Sequence, residues 1–209
     1  MIIGLIAVMA LAIGVAASSA KDGSGDSQGT AQAGNACLSS TGGDDESGDS
    51  GSGTGGGNDK AALRSSSNGN DGIEGTSGSD NESGGSGNDV MDGNGGNDDL
   101  NGDQGDDDLC GDQGNDDLSG GPGNDNLDGG PGNDNLKGNS GNDVLTGDAG
   151  NDKLNGGSGR DVMSGGKGND KLNSRDGSKD TVKCGPGNDT VRADSKDRVS
   201  SDCEHVKRS

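Results

Sequence analysis

Apolar residues recur with a period of nine between residues 84 and 173. This segment divides into ten nonapeptides without an insertion or deletion, and the eighth position of each is Leu or Met. The positions on either side are mostly Asp, Asn, Lys, Ser or Thr. Alternation of polar and apolar residues with a period of two is typical of a pleated strand with one buried face. Positions 7 to 9 of each nonapeptide therefore predict a short strand.

The remaining positions predict a tight turn. Positions 1 and 4 are Gly and position 6 is Asp in every nonapeptide, while position 2 is always Gly, Asn or Asp. These residue types tolerate a positive φ best, so we expect left-handed backbone at positions 1, 2 and 4. Position 3 is unrestricted and accepts Pro122 and Pro131.

A turn and a strand reverse the chain once per nonapeptide, so two nonapeptides form one coil and ten form five. At the ~4.8 Å spacing of hydrogen-bonded strands, the array is about 24 Å long. The predicted fold class is all-β, a solenoid in which two parallel sheets face each other across the Leu/Met row. Crossovers between parallel strands predict a right-handed winding.

The segments before the array differ in composition. Residues 1–20 are almost wholly apolar or small and contain no charge, so we predict a signal peptide, although no basic residue precedes Lys21. An uncleaved membrane anchor is the alternative interpretation. Residues 21–65 are rich in Gly, Ser and Asp and predict a disordered linker. Residues 66–83 form degenerate repeats.

Composition excludes an ordinary hydrophobic core. The 209 residues include 47 Gly and no Phe, Tyr or Trp, and only 22% are apolar. A net charge of -21 disfavours nucleic acid and anionic membrane surfaces as partners and favours cations. The only His, His205, has no distinctive catalytic partners, because Ser and Asp occur throughout the chain. We therefore predict that the chain is not an enzyme.

The charge of the array predicts bound cations. The ten nonapeptides carry 19 Asp against five Lys and Arg. Position-6 aspartates one coil apart, such as Asp89 with Asp107 or Asp98 with Asp116, lie close enough to share a cation. The array contains eight such pairs, and eight divalent ions nearly balance its charge. Oxygen ligands without clustered His or Cys favour calcium over magnesium or zinc. Metal binding would then supply much of the folding free energy, and we expect disorder without calcium.

The nonapeptides resemble the hemolysin-type calcium-binding (RTX) repeat, G-G-x-G-x-D-x-U-x, over ninety uninterrupted residues. The resemblance implies a parallel β-roll in which turn carbonyls and position-6 carboxylates hold calcium. In the regular repeats it nominates as metal ligands Asp89, Asp98, Asp107, Asp116, Asp125, Asp134, Asp143, Asp152, Asp161 and Asp170. In the degenerate repeats it nominates Asp71, Asp80, Asp180 and Asp189. Arg160 at position 5 and Glu82 at position 8 depart from the pattern, so we expect the roll to fray there.

Residues 174–209 predict C-terminal degenerate repeats and a cap. The register slips by one residue after Asn173, and Thr-Val replaces the Leu strand. A different end unit would cover the last coil and block the addition of further strands. Cys184 and Cys203 are well placed for a disulfide in an exported protein. Cys37 and Cys110 either form a second disulfide that joins the linker to the roll, or provide free or intermolecular thiols.

Together these features predict a secreted or cell-surface, non-catalytic calcium-binding protein whose roll folds on entering a calcium-rich medium. Its predicted partners are calcium ions, with no nucleic acid and no membrane after signal cleavage. One alternative is a cell-surface adhesive or interaction module that uses calcium as a scaffold. Another is a detached accessory domain of a secreted enzyme.

Overall fold

The computed structural model describes residues 63–65 and 68–209. The predicted signal peptide, nearly all of the predicted linker and Cys37 lie outside the described residues. Every regular element in the described part of the chain is a β-strand. The described residues include no helix that could cross a membrane.

Seventeen strands form two parallel sheets, so the predicted all-β fold is confirmed. Odd-numbered strands form the first sheet, in chain order: β1 (Leu63–Ser65), β3 (Asn81–Ser86), β5 (Asp99–Gln104), β7 (Asp117–Pro122), β9 (Asn135–Ser140), β11 (Lys153–Ser158), β13 (Lys171–Ser174), β15 (Thr190–Ala193) and β17 (His205–Arg208). Even-numbered strands form the second: β2 (Gly72–Glu74), β4 (Val90–Asp92), β6 (Asp108–Cys110), β8 (Asn126–Asp128), β10 (Val144–Thr146), β12 (Val162–Ser164), β14 (Thr181–Lys183) and β16 (Arg198–Val199).

The register between neighbouring strands confirms the two-repeat coil. Leu100 pairs with Leu118 in the first sheet, and Leu109 pairs with Leu127 in the second, an offset of 18 residues in each case. The offset is 19 where β12 pairs with β14 and β13 with β15, as in Leu172 with Val191, which confirms the predicted slip. The last two pairs of strands are offset by 17 and 15 residues. The solenoid has about eight turns over residues 72–208, because degenerate repeats at both ends extend the array.

The core is a single row of apolar side chains in each sheet. Position 8 of all ten regular nonapeptides is at most 2% exposed, and Val182 and Val191 continue the row. Because the two rows face each other directly, the interior between the sheets is filled by Leu and Met and requires no aromatic residue. The predicted Leu/Met interior is therefore confirmed.

The two sheets differ in strand length. From β4 to β12 the second sheet has the predicted three-residue strands, whereas β3, β5, β7, β9 and β11 have six residues each. In the first sheet the pairing continues into the turn, as in Gly85 with Asp103 and Ser86 with Gln104. On the side of the first sheet, the first residues of the turn therefore also belong to the strand.

The turns adopt left-handed backbone at positions 2 and 4, as predicted, but not at position 1. Every position-2 residue has a positive φ, including Asn94 at 62° and Asp112 at 60°. Nine of the ten position-4 glycines do so as well. No position-1 glycine of the array has a positive φ, so the expectation for that position is wrong. A close approach of neighbouring atoms, described below, is what requires glycine there.

The solenoid does not fray at Glu82 or Arg160, so both expectations are wrong. Glu82 is 2% exposed and pairs with Arg64 of β1 and Leu100 of β5. The backbone N–H of Arg160 donates to Oδ1 of Asn142, 3.0 Å away, as other position-5 residues do. The inter-coil bonds at these positions involve backbone groups, which these two residues supply as well as any other.

The C-terminal segment continues the solenoid instead of folding over its end. Strands β14 to β17 extend both sheets in parallel register. The edge strand β17 is exposed along its whole length and carries His205, Lys207 and Arg208. Charged side chains on an edge strand hinder pairing with another chain. The predicted block to strand addition is therefore provided by charge.

The predicted disulfide between Cys184 and Cys203 is confirmed. It joins the residue after β14 to the turn before β17, and its Cys184 end is fully buried. Cys110 is also disulfide-bonded, and its partner lies outside the described residues. The free-thiol interpretation of Cys110 is therefore wrong.

Candidate metal centre

The position-6 aspartates stack into two columns, one along each row of turns. The backbone N–H of each donates to Oδ1 of the aspartate one coil further on, for example Asp98 to Asp116 at 2.8 Å and Asp116 to Asp134 at 2.9 Å. In the other column the corresponding bond from Asp89 to Asp107 is 2.8 Å. One carboxylate oxygen of each aspartate is therefore part of the backbone hydrogen-bonding network, which fixes the side chain beneath the turn.

The second oxygen of these carboxylates has no hydrogen-bond partner. Oδ2 is buried and unpaired in twelve aspartates: Asp89, Asp98, Asp107, Asp116, Asp125, Asp134, Asp143, Asp152, Asp161, Asp170, Asp180 and Asp189. All twelve residues are at most 2% exposed. Burying a carboxylate oxygen without a partner costs free energy, and such groups are rare in native structures. Their repetition at every turn is a set of oxygen atoms that would fit a positively charged ligand.

Backbone carbonyl oxygens and the unpaired Oδ2 atoms both lie near the Cα atoms of position-1 glycines. An ideal Cβ on Gly93, at position 1, would lie 2.6 Å from Oδ2 of Asp98 and 3.1 Å from the carbonyl oxygen of Gly111, one coil away. On Gly111 it would lie 2.6 Å from Oδ2 of Asp116 and 2.8 Å from the carbonyl oxygen of Gly129. The absent side chain of position 1 thus leaves room for a carboxylate and a carbonyl to converge.

The position-4 carbonyls provide further free oxygens. An ideal Cβ on Gly114 would meet the carbonyl oxygen of Gly96 and lie 2.8 Å from Oδ1 of Asp116. In the described turns of the array, no backbone hydrogen bond is accepted by a position-4 carbonyl.

No three His, Cys, Asp or Glu side chains converge anywhere in the described residues. An ion at these turns would therefore need carbonyl oxygens beside the carboxylates. Such a set of hard oxygen donors suits calcium.

Burial and stacking raise the pKa values of these aspartates. Loss of solvation is the largest cause; the backbone hydrogen bond to Oδ1 lowers the pKa in part, and the neighbouring aspartates of the column raise it again. The pKa rises from 3.8 to about 7 in Asp134, Asp143 and Asp152. It rises to about 6 in Asp98 and Asp125. Without a cation, Asp134, Asp143 and Asp152 would therefore be about half protonated at neutral pH.

Two of the fourteen nominated aspartates are arranged differently. Oδ2 of Asp80 accepts bonds from the backbone N–H of Thr76 at 2.7 Å and from its hydroxyl at 2.9 Å. Asp71 is only partly buried, and its backbone N–H donates to Oδ1 of Asp89. The other twelve share the environment described above.

Asp197 and Glu204 continue the two columns, and the sequence analysis missed both. The N–H of Asp180 donates to Oδ1 of Asp197 at 3.1 Å, and that of Asp189 donates to Oε2 of Glu204 at 2.9 Å. Oδ2 of Asp197 is already paired, because it accepts bonds from the Ser174 hydroxyl and the Asp194 N–H, each at 2.8 Å. Asp197 therefore closes its column with protein donors. The sequence signal was the Asp-Arg-Val segment, which matches Asp-Thr-Val at Asp180.

The asparagines at position 5 form a ladder outside each aspartate column, which the sequence analysis also missed. Oδ1 of Asn133 accepts bonds from the backbone N–H of Asn151 at 2.9 Å and from its side-chain amide at 3.0 Å. Asn115 and Asn133 are joined in the same way. Eight of the ten nonapeptides have Asn at this position, which was the available signal. These ladders keep the turns in register.

Replacing Gly93 with Ala tests the close approach at position 1. The new methyl group would displace the Asp98 carboxylate, so we expect a less stable fold and weaker metal binding at that turn. Gly95→Ala in the same nonapeptide is the matched control, since its nearest neighbouring atom would lie 3.8 Å away. Urea unfolding and metal titration of both variants provide the measurements. Equal effects of the two substitutions would contradict this assignment.

Acidification should stabilise the metal-free protein. The pKa values of the stacked aspartates in the folded state exceed the ordinary value of 3.8, so folding takes up protons. The resulting stability is fully present below about pH 4 and is lost as the pH rises through about 7. Circular dichroism of metal-free protein should show more β-structure at pH 5 than at pH 8. High salt at pH 8 controls for general charge screening; a metal-free fold that does not change with pH would refute the expectation.

Comparison with known proteins agrees with this geometry. No sequence among the curated proteins matches the chain. Four copies of the family model described as the RTX calcium-binding nonapeptide repeat match, at residues 74–109, 83–118, 111–145 and 137–172. These matches cover residues 84–172 of the regular array, which ends at residue 173, and part of the degenerate repeats before it. Residues 74–172 therefore consist of repeats of the RTX calcium-binding nonapeptide family, and the resemblance found in the sequence is confirmed.

Proposed function

We propose that this RTX repeat protein is exported, binds calcium through its position-6 aspartates, folds as it does so, and acts without catalysis. The observation that carries the proposal is the set of twelve buried Oδ2 atoms without a partner. Each belongs to a carboxylate held by a backbone hydrogen bond, and a carbonyl of the next coil lies near seven of them, those of Asp89, Asp98, Asp107, Asp116, Asp143, Asp152 and Asp170.

Pairs of aspartates one coil apart would hold the ions. In one column these include Asp98 with Asp116 and Asp134 with Asp152, where the backbone N–H of the first aspartate donates to Oδ1 of the second. Carbonyl oxygens of position-1 and position-4 glycines would complete the ligand set. Calcium supplies two positive charges and accepts six to eight oxygen ligands in flexible geometry. The protein's part is to fix the carboxylates, keep the turns close together and exclude competing hydrogen-bond donors.

Calcium binding is coupled to folding because the solenoid lacks a large apolar core. Its core is one Leu or Met per strand, and its glycine-rich turns lose much backbone entropy on folding. The stacked carboxylates repel each other and lose solvation, as their raised pKa values indicate. A divalent ion at each turn removes both penalties, so most of the binding free energy becomes folding free energy.

Export and a non-catalytic role rest on separate observations. The disulfide between Cys184 and Cys203 suits an oxidising compartment, and residues 1–20 resemble a signal peptide. Extracellular calcium modules bind with dissociation constants of about 10⁻⁴ to 10⁻³ M, which makes a calcium-rich medium the natural trigger. Nearly the same turn recurs at every coil, which suits a repeated structural ion better than one reaction centre. The proposed domains are the signal peptide (1–20), linker (21–65), degenerate repeats (66–83), ten regular repeats (84–173) and the C-terminal repeats (174–209).

Far-ultraviolet circular dichroism tests the proposal directly. The mature chain should be disordered after chelation and gain β-structure cooperatively on addition of calcium, because ions at neighbouring turns share carboxylates. Magnesium at the same concentration should have little effect, since it requires stricter octahedral geometry. A chain that is equally structured with and without calcium, or that responds equally to magnesium, contradicts the proposal.

Replacing Asp134 with Asn should remove calcium from the middle of one column. Asp134 is shared between the pairs with Asp116 and Asp152, so calorimetry should show a loss of one to two ions per chain and a higher calcium midpoint for folding. The control is Asp117→Asn, which removes the same charge from an exposed position 7. If both variants bind calcium alike, net charge and not the buried column governs binding.

A further inference from the structure

One asparagine ladder changes into a row of cations near the C-terminal end. Along this row of turns, position 5 is Asn124 and then Asn142, which are joined by 2.9 Å hydrogen bonds. The next three coils carry Arg160, Lys179 and Lys196 directly before the stacked aspartates Asp161, Asp180 and Asp197. Because those aspartates are in register, the three cations follow one another at the spacing of successive coils, about 4.8 Å.

The change is confined to one side of the solenoid. On the opposite row the ladder continues through Asn169 and Asn188. Degeneration of the C-terminal repeats would affect both rows, so it does not explain the cations. Like charges at this spacing repel each other, and asparagine would hold the coils together better. The fold itself therefore gives no reason for the cations of Arg160 and Lys179.

The cations line a shallow surface pocket of about 360 Å³. Its lining residues are Asn142, Gly159, Arg160, Ser178, Lys179 and Lys196. The side chains of Arg160 and Lys179 are exposed and make no hydrogen bond or ion pair with another described residue. Lys196 donates to the carbonyl oxygen of Gly177, which holds its ammonium group at the pocket wall.

The nearby carboxylates are already engaged by backbone groups. Oδ2 of Asp176 accepts the N–H of Gly159 at 2.8 Å, and Oδ1 accepts that of Ser178 at 2.7 Å. Asp194 accepts the N–H groups of Gly177 and Lys196, at 2.8 and 3.0 Å. These bonds shape the turns around the pocket and draw the two carboxylates towards the backbone. The guanidinium of Arg160 and the ammonium of Lys179 keep their donors for a ligand.

We infer that this pocket binds a tetrahedral oxyanion, a sulfate or phosphate group. Such a group accepts charge-assisted hydrogen bonds from several directions, which matches cations contributed by successive coils. The pocket has room for more than one such group, so a sulfated or phosphorylated polymer presents the same chemistry as the free ion. The inference concerns a surface separate from the unpaired Oδ2 atoms, and it rests on the proposed function only because calcium would hold the coils that carry the three cations in register.

Sulfate titration of the full chain in calcium and chloride buffer tests the inference; phosphate would precipitate with calcium. Calorimetry should show saturable binding to one region. The double variant Arg160→Asn with Lys179→Asn should weaken it by about tenfold per cation removed. The matched control is Lys153→Asn with Lys171→Asn, which removes two exposed cations that are direct register partners on a flat strand surface. Absence of saturable binding, or equal weakening in both variants, overturns the inference.

A second measurement uses the wild-type protein, so it does not depend on whether the variants fold. In the wild-type protein, sulfate should shift the backbone amide resonances of Gly159 and Lys179, and shifts elsewhere alone would overturn the assignment. Circular dichroism recorded on the same samples before sulfate addition reports the calcium response independently. Binding of dextran sulfate and of unsulfated dextran shows whether the ligand is a sulfated polymer or the free ion. Tighter binding per sulfate group to the polymer identifies a polyanion as the ligand, equal binding identifies the free ion, and equal binding of unsulfated dextran refutes oxyanion recognition.

Discussion

The stacked carboxylate at position 6 is the group on which the rest of this solenoid depends. Its Oδ1 atom completes the backbone hydrogen bonding between coils, and its Oδ2 atom is buried beside a carbonyl of the next coil. The hydrogen bond to Oδ1 brings the turns together. The burial of Oδ2 makes this close packing unfavourable unless a cation is present. The glycine at position 1 belongs to the same arrangement, because any side chain there would occupy the space of the carboxylate.

This constraint explains how a chain with so few apolar residues acquires a defined fold. One Leu or Met per strand fills the narrow space between the sheets but leaves the turns to be stabilised separately. The asparagine ladders align the turns from outside, and the aspartate columns align them from inside. At the end of one column, Asp197 differs from the aspartates before it, because its Oδ2 accepts bonds from Ser174 and Asp194.

The two long surfaces of turns differ in a way that matters for binding partners. Both display polar ladders over most of their length, but only one carries Arg160, Lys179 and Lys196 near the C-terminal end. Three exposed cations of a strongly acidic protein thus line one pocket. Neutralisation of the neighbouring aspartates by calcium would strengthen the attraction of that pocket for anions, which links the proposed scaffold to a surface with its own chemistry.

The sequence by itself determined the coil length, the two parallel sheets, the buried Leu/Met row and the stacking of the position-6 aspartates, because a strict nine-residue repeat allows few other arrangements. It also predicted the disulfide between Cys184 and Cys203. Only the tertiary structure showed that position 1 needs glycine for space and not for φ, and that Glu82 and Arg160 do not interrupt the coils. It alone separated the roles of the two carboxylate oxygens and brought three distant cations into one pocket. These features depend on contacts between residues 15 to 19 positions apart, and the environment of an atom in such contacts is set by the neighbouring coil.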